Sequence, residues 1–184
     1  MYVARRRRRR RNTSRERILA AVRSLLEEGA FHETTVEEVA ERAGVSRATL
    51  YNHFGSRLGL VDAICESFDA NPALVAVRQT DDLDPWLERV VDFWSSEEKA
   101  LAQLYGAAAV DPAARSFVER QTRDRYGEVR RLLGALGRDD GDALAALVVL
   151  SSFETYVELR RRLGTPKSQV VAILQRQARA LLAR

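Results

Sequence analysis

With 184 residues, 46% of them hydrophobic and 30% charged, the chain has the size and balance of one large or two small soluble globular domains able to bury a core. Membrane insertion and export are not expected: the longest apolar run, Ala143 to Leu150, falls far short of the roughly 18–20 residues of a span, and the arginines at 5–11 precede no signal-peptide core. The net charge is +4, yet Arg5, Arg6, Arg7, Arg8, Arg9, Arg10 and Arg11 alone exceed it and leave the remainder at about −3, while the one cysteine, Cys65, excludes an intramolecular disulfide and fits a reducing cytoplasm.

Blocks of like charge are disordered when free, so residues 1–12 read as a basic arm. From Asn12 the pattern is helical, with turn signals and no alternating strand. Ile18, Leu19, Val22, Leu25 and Leu26 make an amphipathic first helix that Gly29 ends. Thr34 or Thr35 caps a second helix with Val36, Val39, Ala40 and Ala43 on one face and Glu37, Glu38, Glu41 and Arg42 on the other. Gly44 stands where a left-handed turn residue is needed, Val45 anchors the turn, and Ser46 is a good N-cap for a third helix from about Arg47. Along that helix Leu50 and Phe54 face inward, which leaves Arg47 and Tyr51 on one outer strip and Ala48 and Asn52 on the next. Two short helices around a glycine turn, the second with a polar outer face, form a helix-turn-helix, whose early second-helix residues reach base edges in DNA.

Ser56 caps a fourth helix with Leu60, Val61, Ile64, Cys65 and Phe68 inward, and Asn71-Pro72 closes it; residues 71–83 read as a connection or an extension of that helix. Asp84-Pro85 starts a fifth, carrying Trp86, Leu87, Val90, Val91 and Trp94, and Ser95 to Glu98 offers a capping box for a sixth that runs to about Ala109. Asp111-Pro112 starts a long seventh with Phe117, Val118, Val129, Leu132, Leu133 and Leu136. An eighth, from Asp142 to about Leu163, is apolar nearly all round in its first half, and Gly164-Thr165-Pro166 separates it from a ninth with Val170, Leu174, Ala178 and Leu181. A helix apolar on every side must be buried on every side, so the eighth is expected to meet a second subunit, with Ala145, Ala146, Ser151 and Ser152 small enough for close approach; the central helix of a monomer is the alternative.

The run Gly44-Val-Ser-Arg-Ala-Thr-Leu-Tyr-Asn-His-Phe54, preceded by Thr35-Val-Glu-Glu-Val-Ala40, resembles the DNA-binding domain of the TetR family of bacterial one-component transcriptional regulators. The resemblance implies base-facing roles for Arg47, Ala48 and Tyr51 and phosphate roles for Thr35, Thr49, Asn52, His53 and Arg57. It departs from the family at Asn52, where a bulkier or basic side chain is frequent, and at Gly59, which weakens the start of the fourth helix where an acid is usual. It also implies a homodimer through the last two helices and an effector cavity walled by some of the C-terminal aromatics, for which Trp94, Tyr105, Tyr126, Phe153 and Glu154 are the candidates. Ahead of a DNA-reading domain, Arg5 to Arg11 gain a specific reading as an arm along phosphates or in the minor groove.

Catalytic signatures are absent. Gly44-Val-Ser-Arg-Ala48 lacks the last glycine of a nucleophile elbow, and there is neither a phosphate-binding Walker loop nor a paired His-Glu-His. His32 and His53 are the only histidines, with no cysteine cluster near them, so no metal site or cofactor is expected. Asp139-Asp-Gly-Asp142 reads as a turn and cap rather than a calcium loop.

The expectation is therefore an all-α chain of about nine helices: a basic arm (1–12), a three-helix helix-turn-helix domain (13–60) and a helical effector-binding and dimerisation domain (61–184). Its expected function is a cytoplasmic repressor that binds a double-stranded operator and is released by a small-molecule effector. The alternative is a DNA-binding regulator whose C-terminal domain only dimerises or binds a protein partner.

Overall fold

Capping residues set most of the helix starts. The computed structural model describes the backbone of residues 2–31 and 33–183 and the side chains of residues 13–31 and 33–183. All regular structure among the described residues is helical: α1 (Tyr2–Glu28), α2 (Val36–Arg42), α3 (Arg47–Phe54), α4 (Arg57–Asp69), α5 (Pro72–Arg78), α6 (Leu83–Ser96), α7 (Glu98–Ala107), α8 (Pro112–Ala135), α9 (Gly141–Leu150), α10 (Phe153–Val157) with a π-helical turn Glu158–Arg162, and α11 (Lys167–Leu182). Thr35, Ser46, Asn71, Asp140 and Ser152 each accept a backbone N–H into the first turn that follows them, filling an amide that no helix carbonyl can reach. None of the helices among the described residues is long and apolar enough to cross a membrane.

The helices fall into two units. The first comprises residues 1–68 and 99–118. Ile18, Val22 and Leu26 of α1, Val39 and Ala40 of α2, Leu50 of α3, and Leu60, Ile64 and Phe68 of α4 are buried in it together with Leu101, Leu104 and Phe117. This unit extends beyond the span read from the motif because α7 and the start of α8 carry ring partners for it: Phe117 lies 5.8 Å from Phe68 and meets Tyr105 edge-on at 6.1 Å. Cys65 is buried among these residues. The backbone of Arg5 to Arg11 is drawn as part of α1 where a disordered arm is expected, in keeping with the good helix propensity of arginine. Their side chains, and His32, lie outside the described residues, and so do the arm contacts expected of them.

The second unit comprises residues 69–98 and 119–184. Here α6 packs against α5, α10 and α11, and α9 packs against α11. Trp86, Leu87, Val91, Leu132, Leu147, Phe153, Tyr156, Val170 and Leu174 form the core. Residues 71–83 contain a helix of their own, α5, since Asn71 caps it and Pro72 starts it without needing an amide partner. The helix expected over 142–163 is broken after Leu150. The Ser151 hydroxyl bonds back to the Leu147 carbonyl at 2.7 Å, and Ser152 has an extended backbone and caps α10 by accepting from the Thr155 amide at 3.1 Å. Two serines proposed to let a second subunit approach are thus buried inside their own unit. The capping box at Ser95 is not used as a helix start, because α6 continues to Ser96 and α7 opens at Glu98.

Gly59 has a steric reason that outweighs its poor helix propensity. A Cβ there would stand 1.9 Å from the Phe54 carbonyl oxygen at the end of α3, so α3 and α4 meet this closely only over a hydrogen. Gly59→Ala is therefore expected to destabilise the protein by about 1–3 kcal/mol through forced backbone movement, despite the gain in helix propensity. Guanidinium denaturation of the two proteins measures this; an equal or higher midpoint for the variant would refute the close approach.

Candidate nucleic-acid interface and ligand cavity

The recognition element is built from two helices whose mutual position is fixed by their caps. At α2, the Glu38 amide donates to the Thr35 hydroxyl oxygen at 3.2 Å while the Glu38 carboxylate accepts from the Thr35 amide at 2.7 Å, a complete capping box. The same amide bond, followed by the Thr35 hydroxyl, holds the Glu38 carboxyl below its ordinary pKa. Of the two candidate caps Thr34 is turned inward, donating its hydroxyl to the Ala30 carbonyl at 2.7 Å. The turn closes with Gly44 at φ +60°, its amide donating to Glu41 and that of Val45 to Ala40, both at 2.9 Å. Arg17 of α1 donates to the Gly44 carbonyl at 2.9 Å and so ties the turn to the bundle. Ser46 then caps α3 through the Thr49 amide at 3.1 Å.

With Leu50 and Phe54 buried, α3 turns Arg47, Ala48, Tyr51 and Asn52 outward, the strip expected from the sequence. Arg47 is held in place before any DNA arrives. Its Nε lies 2.7 Å from the Glu37 carboxylate and its guanidinium 5.4 Å from the centre of the Tyr51 ring. The hydrogen bond to Tyr51, then the charge of Glu37, raises its pKa. Thr49 shares a 2.8 Å hydrogen bond with Ser46, and half-buried His53 lies 5.9 Å from the Phe54 ring. Thr35 and Asn52 remain exposed.

Arg57, for which a phosphate role is expected, is bonded within the first unit. It donates from Nε to Asp111 at 2.9 Å, from Nη1 to the Thr34 carbonyl at 2.8 Å and from Nη2 to the Phe31 carbonyl at 3.0 Å, and its plane lies 4.4 Å from the Phe31 ring centre. All three nitrogens are engaged inside the first unit, and the geometry is that of a clamp. Asp111 also caps α8, accepting from the Ala113 amide at 2.9 Å. Burial pushes the Asp111 carboxyl up, but the Arg57 hydrogen bond, the Ala113 amide and the Arg57 charge outweigh it and leave the pKa lowered from 3.8.

The second unit contains a cavity of about 40 Å³. Val77, Trp86, Val90, Phe93 and Trp94 supply its apolar wall, and Gln121, Asp124, Arg125 and Glu128 of α8 its polar lining. Trp94 donates Nε1 to the Ser151 carbonyl at 3.1 Å and meets Phe153 edge-on at 5.6 Å. Trp86 Nε1 and both Nε and Nη1 of Arg125 are shut away from solvent with no hydrogen-bond partner among the described residues. Leaving such groups unpaired costs about 1–3 kcal/mol each, more for charged ones.

Of the five expected cavity residues, Trp94 lines the space and Phe153 stands against Trp94. Tyr105 belongs to the first unit, Tyr126 lines a separate depression with Arg130 and Arg138, and Glu154 is exposed. Trp86, Gln121 and Arg125 were missed. Trp86 shares the stripe of Val90 and Phe93 and was legible in it, whereas nothing in the charged run of α8 distinguishes Arg125. Among the described residues no three histidine, cysteine or carboxylate side chains gather as a metal site.

A three-helix bundle presenting α3 through a glycine turn has the form of a helix-turn-helix. Residues 18–64 match the family model for bacterial regulatory proteins of the tetR family. It is 28% identical over 148 residues to the tetracycline repressor protein class A from transposon 1721 of Escherichia coli, covering 80% of this chain and 66% of that protein. It is 35% identical over 68 residues to the uncharacterized HTH-type transcriptional regulator YvkB of Bacillus subtilis, covering 37% of this chain and 36% of that one. The chain thus spans two thirds or less of these curated relatives. Among solved structures, a TetR-family transcriptional regulator from Rhodococcus sp. superposes with a TM-score of 0.70 at 19% identity, over 92% of this chain and 98% of that one. The SmeT-triclosan complex does so at 0.70 and 19%, over 91% and 90%.

The Arg57 clamp makes a pH-dependent prediction. Because the folded Asp111 pKa lies below 3.8, the stabilisation is complete above that value and drains away as the pH falls through the folded pKa. Asp111→Asn, which keeps the cap, is expected to cost about 1.5–3 kcal/mol at pH 7 and progressively less toward pH 3. Urea titrations at the two pH values measure it, and a deficit independent of pH would mean the clamp is not ionic.

Proposed function

We propose that the protein is a sequence-specific transcriptional regulator acting in the cytoplasm: a homodimeric repressor that leaves its operator when a small molecule binds the second unit. The observation that carries this is the outward strip Arg47, Ala48 and Tyr51 on a helix whose start is fixed by Ser46 and whose turn is fixed by Gly44. Arg47 is the residue for a bidentate guanine contact, worth about 1–3 kcal/mol, with Ala48 and Tyr51 beside it on the bases and Thr35, Thr49, Asn52 and His53 toward phosphates. Arg5 to Arg11 supply the electrostatic share, each neutralised phosphate adding about −0.9 to the slope of log K against log salt.

Two recognition helices must enter successive major grooves about 34–36 Å apart, so a dimer is required. A ligand acts by favouring a dimer geometry in which that spacing no longer fits, and it shifts the balance only by its differential affinity for the two geometries. The cavity with unpaired donors favours this reading over a domain that merely dimerises, for which a solid core is the expectation. It is in keeping with a relative that is a tetracycline repressor and a neighbour of the same fold solved with triclosan. The breaks at Ser152 and Gly164 divide the expected dimer helices into α9, α10 and α11. Val149, exposed on α9, is the residue expected to meet the partner copy.

Selection of bound DNA from a random pool tests the operator. Arg47→Ala is expected to weaken the selected site by about tenfold or more and to relax one base position while leaving the dimer intact. Glu37→Gln, which frees Arg47 from its carboxylate, is expected to tighten binding several-fold; loss of binding in that variant would assign Glu37 a contact of its own. Deleting residues 2–11 is expected to flatten the salt dependence by several phosphate equivalents, at about 0.9 each. An unchanged slope would remove the arm from the interface.

A further inference from the structure

The cavity of the second unit carries an unmet chemical demand. Its apolar wall of Trp86, Val90, Phe93 and Trp94 asks for an apolar, ring-sized body. Its polar lining is less ordinary. Nε and Nη1 of Arg125 and Nε1 of Trp86 are desolvated donors with no acceptor among the described residues. Every other charged group of the lining has its need met. Arg78 bonds Asp69 at 2.6 Å, Glu128 is paired with Arg131 at 3.2 Å and lies 3.8 Å from Arg78, and Asp124 is exposed to water. What the cavity lacks is an acceptor, and a charged one answers a guanidinium best, since hydrogen bonds between ionised partners are the stronger kind; Nε and Nη1 lie on different edges of the guanidinium, so a carboxylate takes one of them.

Resting on the reading of this cavity as an effector site, we infer that its ligand is an organic acid: an aromatic or compact apolar body bearing a carboxylate that pairs with Arg125, with Trp86 Nε1 donating to a second acceptor. The guanidinium, unpaired without ligand, sits in a low-dielectric wall, so the ion pair gains strength from the same burial that makes the empty state unfavourable. At about 40 Å³ the partly open cavity holds no ring without movement. The ligand enters by displacing the half-buried Leu74 and the exposed Arg78 and Asp124 at the rim. Arg125 lies on the continuous helix α8 (Pro112–Ala135), so pairing it moves or stiffens that helix.

The test compares three probes that share one ring system and differ in charge, 2-naphthoate, 2-naphthamide and 2-naphthylmethylamine, binding to the full chain. Calorimetry and quenching of Trp86 and Trp94 fluorescence report binding, and thermal unfolding checks that each variant is folded. The expected result is that naphthoate binds at least tenfold more tightly than the amide and the amine, that Arg125→Gln removes that advantage, and that Arg125→Lys restores part of it. Trp86→Phe is expected to weaken naphthoate a few-fold. Equal binding of all three probes, or naphthoate binding unchanged in Arg125→Gln, overturns the acid while leaving the effector cavity standing. Tighter binding of the amine does the same and reassigns the site to Asp124 and a cation. No binding by any probe overturns the acid site, and operator release by an unrelated neutral compound in the same assay would show that the effector reading survives it.

Discussion

One guanidinium holds several groups of the first unit at once. Between α1 and α2 the Phe31 carbonyl accepts the Thr34 amide at 3.3 Å, and the Thr34 carbonyl lies outside either helix. Arg57 accommodates both, stacks its plane on the Phe31 ring, and directs its remaining nitrogen to Asp111. Lysine cannot do this, because the task needs a planar fork with donors in three directions. Since Arg57 opens α4, and α4 approaches α3 through Gly59, the position of the recognition helix is determined from its far end by this clamp and from its near end by Arg17 on the Gly44 carbonyl.

In the first unit Thr34 is bonded to Ala30, Arg57 to three partners, and Asp111 to Arg57 and Ala113. A reading head must present its side chains in one geometry, and satisfied polar networks are what impose a unique arrangement. In the second, Arg125 and Trp86 are left with donors unassigned beside a void. Such a defect persists in a stable fold only if the surrounding packing outweighs it, and the aromatic pairs Phe93–Trp94 and Trp94–Phe153 provide that packing. Where a fold tolerates local cost, function is the usual reason.

The helix-turn-helix was legible almost residue by residue because its signals are local: Thr35 with Glu38, Gly44 at positive φ, and Ser46 with Thr49 each act within four positions of the chain. The C-terminal helices were legible in content but not in all their breaks: five were expected after the fourth helix, and seven, α5 to α11, are present among the described residues. Asp142 to about Leu163 reads as one helix, apolar in its first half, and its interruption depends on Ser152 taking the Thr155 amide, a choice that the pair Ser151-Ser152 does not announce. The contacts of Arg57 inside the first unit were not legible for the opposite reason. They are set by Asp111, 54 residues away, and by two carbonyls of a loop, none of which leaves a pattern around position 57. Gly59 likewise reads as a weak helix former until the Phe54 carbonyl is seen beneath it.

The second helix carries Glu37, Glu38 and Glu41, and Glu37 holds Arg47 before DNA is met. An exposed pair of this kind contributes little to folding. Arg47 must leave Glu37, 2.7 Å away, before it can take another partner, and that cost is the same whichever partner it takes. Outside Arg5 to Arg11 the chain is slightly acidic, so its excess positive charge is concentrated in those arginines.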